Sequence, residues 1–348
     1  MPGTGGRADR RSLGREYSMP AAGGESPARG RCASRPPVQP LGTGNSVLGT
    51  IRRALLASLV LWSIGPVQPS QAQDAISSGR AASPGAAIRV YVITGSLRVN
   101  AWDRDSVAVK GRVDSDAGRF FFAGTRDALK LGVESPEGRE PQGTADLDIW
   151  VPADARLWIK SVAADVEVTA GGGMLEVTGV SGRVRVAGTP RETSVETLDG
   201  NVELACQSSV ARVRTASGTI VVRGLIQDFD ASTVSGPLLV GMEGDVARIR
   251  LETVSSEIAF KGGLLRDGRL EAETHGGDIE LRLPPALGAD YHLVSYGSGL
   301  RNELVPADQV HQGPQKGEYR IRTGDGRAAV NVRTFKGTVT LKARGPER

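Results

Sequence analysis

The chain reads as an all-β protein, a parallel β-solenoid with rungs of about 18 to 22 residues and an N-terminal β cap, on three observations. One phrase recurs seven times between Leu157 and Leu281, as LWIKSVAADVEV, LEVTGVSGRVRV, SVETLDGNVEL, VRTASGTIVV, ASTVSGPLLV, LETVSSEIAF and AETHGGDIEL. Aligned at Ala164, Gly182, Gly200, Gly218, Gly236, Ser256 and Gly277, the copies follow one another at a nearly constant spacing that lengthens slightly over the last two steps. A period near 20 marks repeats that bury their apolar faces only against the copies above and below. Second, apolar residues alternate within each copy, as a strand with one buried face requires. Third, the inward parity changes between Thr253 and Ile258, five positions apart, so the chain turns a corner at Val254, Ser255 and Ser256. Glycine there is expected to supply positive φ, and Ser181, Asp199, Ser217, Ser235 and Ser255 to stack along the turn.

Stacking the copies predicts columns. Val168, Val186, Leu204, Val222, Val240, Phe260 and Leu281 form one inward column, and Thr197, Thr215, Thr233, Thr253 and Thr274 another. β-Branched residues suit this pleated, half-buried setting.

Taken in order, residues 1–46 are rich in Gly, Pro, Arg and Ser without periodicity and read as a disordered or spurious extension. Residues 47–72 read as a signal peptide: Arg52 and Arg53 precede the apolar run ALLASLVLWSI, and Ser70 and Ala72 give the small-residue cleavage pattern. The run is shorter than the about 20 residues that span a bilayer, so the protein is expected not to be membrane-spanning but secreted, periplasmic or on the cell surface. Residues 73–85 read as a linker. Residues 86–152 hold a divergent first copy, IRVYVITGSLRVNAW, followed by SVAVKGRV, RFFFAG, ALKLGV and ADLDIWVP, expected as antiparallel strands covering the first rung. The solenoid proper occupies 153–343 and continues past Leu281 with YHLVSYGSGLRNEL, its corner at Ser298. A hairpin is expected around Gly324, Asp325 and Gly326, then a final copy, VNVRTFKGTVTLKA, with its corner at Gly337.

Charge removes one class of partner. The chain has 43 Lys and Arg against 39 Asp and Glu, but 9 basic and 3 acidic residues lie before Gln73, leaving 34 against 36. With the basicity in the leader, no nucleic-acid partner is expected. Beyond the leader the only cysteine is Cys206, expected as a half-buried structural thiol.

No HExxH, CxxC, Walker or GxSxG pattern occurs, and no catalytic residue, cofactor or metal site is assigned. Of His275, His292 and His311, His275 shares the corner position of Val180, Leu198, Val234 and Val254 and is read as capping the stack. The outward positions after the corner are Asp165, Arg183, Asn201, Thr219, Pro237, Glu257 and Asp278, with charges scattered rather than converging for acid and base work. Asp146 with Asp148, and Asp103 with Asp105, are paired acids of the kind usually found on a solvated surface.

The phrase TVSG at Thr233 to Gly236, its variants at Thr197, Thr215, Thr253 and Thr274, and VPADARL at Val151 to Leu157 resemble the bacterial DUF4097 family of candidate adhesins. The resemblance implies an extracytoplasmic β-solenoid associated with the cell envelope and carries over no catalytic residue. The reading that follows is a non-enzymatic, adhesin-like or envelope scaffold that binds a partner, an envelope protein or a glycan, along its outer face, with self-association open. The alternatives are a β-helical carbohydrate-active enzyme and a periplasmic regulatory domain that binds a membrane stress sensor. The candidate contact is the outward row Val221, Leu239 and Ala259, apolar between Glu203 and Glu280.

Overall fold

The computed structural model describes residues 73–135 and 142–345. The two leader segments expected over 1–46 and 47–72 lie outside the described residues. The described strands, 21 in number, are hydrogen-bonded into one continuous sheet that winds on itself, a parallel β-solenoid. Each rung has a pre-corner arm, the predicted corner, a post-corner arm and a second bend that leads to the next rung.

The middle of the stack follows chain order. On the pre-corner side, residues 156–161, 174–178, 192–196, 210–214, 228–232, 248–253 and 269–274 pair in parallel, each with the next. On the post-corner side the series is 163–170, 184–188, 202–206, 220–224, 238–242, 258–261 and 279–283. The predicted column from Val168 to Leu281 is in register and buried, and so is the threonine column. Inward side chains of both arms form one apolar core.

The threonine column does more than pack. Each hydroxyl accepts the amide three residues on, from Gly200, Gly218, Gly236, Ser256, Gly277 and Gly337, at 3.0 to 3.4 Å. It also donates to a carbonyl of the neighbouring rung, as Thr197 does to Val180 (3.3 Å), Thr215 to Leu198 (3.2 Å) and Thr334 to Gly277 (2.9 Å). One hydroxyl thereby satisfies a buried amide within its own corner and ties that corner to its neighbour. This revises the expected role of glycine. Gly182 does have positive φ (96°), but Gly200, Gly218, Gly236 and Gly277 do not. They are glycine because a Cβ there would collide with the carbonyl of the rung beneath, the Gly200 carbonyl in the case of Gly218.

At both ends, stack order departs from chain order. The strand Ala87–Trp102 lies between Arg156–Ala170 on one side and Ala128–Glu134 with Ala145–Pro152 on the other, all parallel to it. Two of the segments expected as antiparallel covers thus build an additional outermost rung. The antiparallel cap consists of Arg119–Gly124 on Ala128–Glu134, and Ser106–Asp114 on Ala145–Pro152. Gln73–Ala81, expected as a linker, is a strand antiparallel to Ser106–Asp114. Its side chains hardly alternate in burial, so backbone pairing with an otherwise open edge holds it, and such pairing leaves no apolar period in the sequence.

The C-terminal end is built the same way. The last copy, Ala328–Thr334 and Val339–Ala343, inserts between the rung ending at Leu283 and the rung Ala289–Ser295 with Leu300–Glu303. The hairpin expected at Gly324 to Gly326 does not form, because Glu318–Arg322 and Ala328–Thr334 pair with opposite edges of Ala289–Ser295. The turn straddles that strand, with Gly324 and Gly326 at positive φ.

Candidate interaction surfaces

The outward row assigned from the sequence is assembled as expected. Val221 pairs in register with Leu239, and Leu239 with Ala259. Leu238 and Val240 are buried beside Leu239, which is 36% exposed. Glu203 closes one end of the row and is salt-bridged to Arg185 at 3.1 Å. Glu280 closes the other, held by Arg282 (2.6 Å) and Lys342 (2.8 Å). The Lys342 and Arg282 cations keep the Glu280 carboxyl below its ordinary range against some desolvation. The row is a short, shallow apolar strip rimmed by charge.

A longer surface runs along the corner. The residue after the column position, which is Ser161, Gly179 and Ser295 on three rungs and threonine on the rest, points outward, giving Val162, Val180, Leu198, Ala216, Val234, Val254, His275, Phe335 and Tyr296 on nine successive rungs. Of these, seven large apolar side chains are 45% to 53% exposed. Eight rung spacings of about 4.8 Å make the ridge about 38 Å long. Its C-terminal end is aromatic: His275 stacks on Phe335 at 4.9 Å, and Tyr296 lies 5.8 Å from Phe335 on the other side. His275 therefore belongs to an exposed ridge and does not cap the core. The parity rule that places Thr253 inward also places Val254 outward, and that signal was sufficient to find the ridge.

Polar groups on the post-corner face serve the ladder. Asp165, Asn201 and Asp278 accept the amides of Arg183 (2.8 Å), Thr219 (2.9 Å) and Thr338 (2.7 Å) in the next rung. Asp146 accepts from Ser96 (2.6 Å), and Asp148 faces Arg98 at 3.5 Å. His292 meets Glu318 at 3.1 Å. Cys206 is fully buried rather than half-buried, and burial pushes its thiol up to about 11. Among the described residues no three His, Cys, Asp or Glu gather as a group that could hold a metal ion. No helix among them is long and apolar enough to cross a membrane.

No family model and no curated protein matches this chain. Solved structures similar to it include two candidate adhesins. One, from Bacteroides fragilis, is 12% identical, over 80% of this chain and 99% of its own, with a TM-score of 0.38. The other, a candidate cell adhesion protein from Clostridium sporogenes, is 9% identical, over 78% of this chain and 100% of its own, with a TM-score of 0.19. Likenesses this loose carry no argument about what the chain does.

Proposed function

We propose that this protein is a non-enzymatic extracytoplasmic scaffold, adhesin-like in that it holds a partner of the cell envelope along its side. The corner ridge carries this reading. Seven large apolar side chains about half exposed in one line form a contiguous patch of the kind that soluble proteins rarely leave unused. The line sits on a ladder of backbone and threonine hydrogen bonds, so it is presented in a fixed conformation at little entropic cost. The partner is a protein with a complementary apolar groove or strip.

The test replaces two ridge residues together, Leu198→Lys and Val234→Lys, in the full chain. The variant is expected to keep the parent's urea midpoint, since both side chains already face solvent, and to lose saturable capture of an envelope protein that the parent retains. Equal capture by parent and variant would overturn the ridge reading. Identification of the captured protein as a membrane stress sensor would specify the scaffold as a regulatory domain, and cleavage of a glycan by the parent would replace it with an enzyme.

A further inference from the structure

We propose that the outer face of the post-corner arm binds an acidic polysaccharide laid along the solenoid axis. Beside the apolar row Val221, Leu239 and Ala259, the next outward row on the same strands reads Arg223, Gly241, Lys261, Arg282 and Lys342. Four of the five rungs in that row thus carry a cation. Arg282 and Lys342 share Glu280, whereas Arg223 and Lys261 form no ion pair among the described residues. Glu203, Glu257 and Glu280 border the apolar row, and Glu243 lies exposed one outward position beyond Gly241 on the same strand, so the cationic row is rimmed by carboxylates on both sides.

Gly241 is the second observation. Its φ is not positive, and a Cβ built on it would meet nothing closer than the Val222 carbonyl oxygen at 3.6 Å. Neither backbone conformation nor crowding requires glycine there, in contrast to neighbouring Gly224, which has a φ of 121° and would collide with the Cys206 carbonyl. The missing side chain leaves a notch between Arg223 and Lys261, two rung spacings or about 10 Å apart. An anionic group seated over Gly241 would be flanked by two cations that otherwise lack partners, next to the apolar edge of Leu239.

The chemistry selects the ligand class. Two parallel rows, one apolar and one cationic, repeating along one axis, match a polymer that repeats carboxylates beside the C–H faces of its sugar rings. An acidic peptide adding as a strand would need free backbone groups, and here those groups are already paired between rungs. A single-stranded nucleic acid would need aromatic side chains for its bases, and this face has none beside the two rows. A lipid would need a cavity for its acyl chain, and the strip is shallow. The face is separate from the corner ridge, so this inference and the ridge reading stand or fall independently.

The test measures binding of the full chain to polygalacturonate, with neutral dextran and polyglutamate as comparators. The variants are Arg223→Gln with Lys261→Gln, and Gly241→Leu, which fills the notch at a site where a Cβ is accommodated. The basic leader contributes equally to every form, so the reading lies in the difference between parent and variants. We expect each variant to bind polygalacturonate about tenfold more weakly, as the loss of two exposed charge contacts or of their shared seat would give, with the thermal midpoint unchanged. Dextran should not bind, and polyglutamate binding should be the same in all forms. Parent-like affinity in the charge pair variant, no binding by the parent, or an equal loss with polyglutamate would overturn the proposal. If Gly241→Leu proves unstable, the charge pair variant, altered only at exposed positions, decides alone.

Discussion

The middle of the solenoid and its two ends are made of the same rung but assembled differently. In the middle, partners in register are a single repeat apart in the chain, as Val166 and Val184 are, or Ile249 and Leu270. At the ends they are several repeat lengths apart, as Leu97 is from Val166 and Leu270 from Val330. The first and last copies in the chain are thereby interior, each covered by a rung that lies inward of it in sequence, and only then come the antiparallel strands that close the stack. Position in the sequence is therefore a poor guide to which rung is peripheral. What makes a copy interior is a partner on both edges: Ala87–Trp102 is interior with Val92 where the middle rungs carry threonine, whereas Ser295 makes the corner bonds on an outermost rung.

The largest expected effect tests that statement directly. Val240→Asp, in the middle, puts an unpaired carboxylate into a buried column and should cost about 3 to 5 kcal/mol. Leu341→Asp, in the last copy, should cost the same within about 1 kcal/mol, because Leu341 is equally buried between Leu281 and Asn302. Urea midpoints decide, and a mild Leu341→Asp would show that the end rung is loose.

The corner comes next in size. Thr233→Val strands the Gly236 amide that the hydroxyl accepts at 3.0 Å, and should cost about 1 to 3 kcal/mol. At the C-terminal end Ser295 takes the threonine role with a corner one residue longer, accepting from Gly299 (3.0 Å) and donating to Gly337 (2.9 Å). Ser295→Ala should lose a similar amount by the same measure. A markedly smaller loss would mean that the corner at the end is already hydrated.

A smaller effect separates the ends by pH. Glu318 is partly desolvated, which raises its pKa, but Arg320, the Gln315 amide and His292 outweigh that and hold the carboxyl below its ordinary range. A depressed pKa stabilises the folded cap above the ordinary carboxylate pKa of about 4.3, and the contribution is lost as pH falls through the lower folded value. Protection from hydrogen exchange over residues 310–322, taken relative to the intrinsic amide rate at each pH, should therefore fall in acid while the middle rungs stay protected. In Glu318→Gln that acid step should vanish; if it persists, another group titrates there.

The smallest expected effect is on the solvent face of the middle. Glu203→Lys breaks an exposed salt bridge to Arg185 and should change stability by under about 1 kcal/mol. A loss matching that of Val240→Asp would refute the assignment of faces.

The middle was legible because its period is strict and each column repeats one residue type. Register, the inward columns and the outward apolar row all follow from alternation in single strands. The rest was hidden for specific reasons. The insertion of Val339–Ala343 beside Ile279–Leu283 is a long-range pairing that no local pattern encodes. Gln73–Ala81 is held by main-chain bonds that any sequence can make. The glycine corners carried a real signal that pointed to the wrong cause, since crowding by a carbonyl and positive φ select the same residue. The ridge was encoded plainly in Leu198, Val234 and Val254, but an apolar residue next to a buried threonine is easily taken for core.

The tucked ends also set an order of events for folding. Closing the loop of a single repeat is far less demanding than docking strands several repeats apart, as both ends require. The middle rungs can form first and offer open edges at both sides. The strand Ala328–Thr334 can then enter only while Ala289–Ser295 is not yet paired along that edge, or by displacing it. Once it is seated, unzipping from this end must break ladders on both of its edges before the middle is exposed. Such a lock opens slowly, and it places the durability of the stack in the rate of unfolding at its ends as much as in the depth of its core.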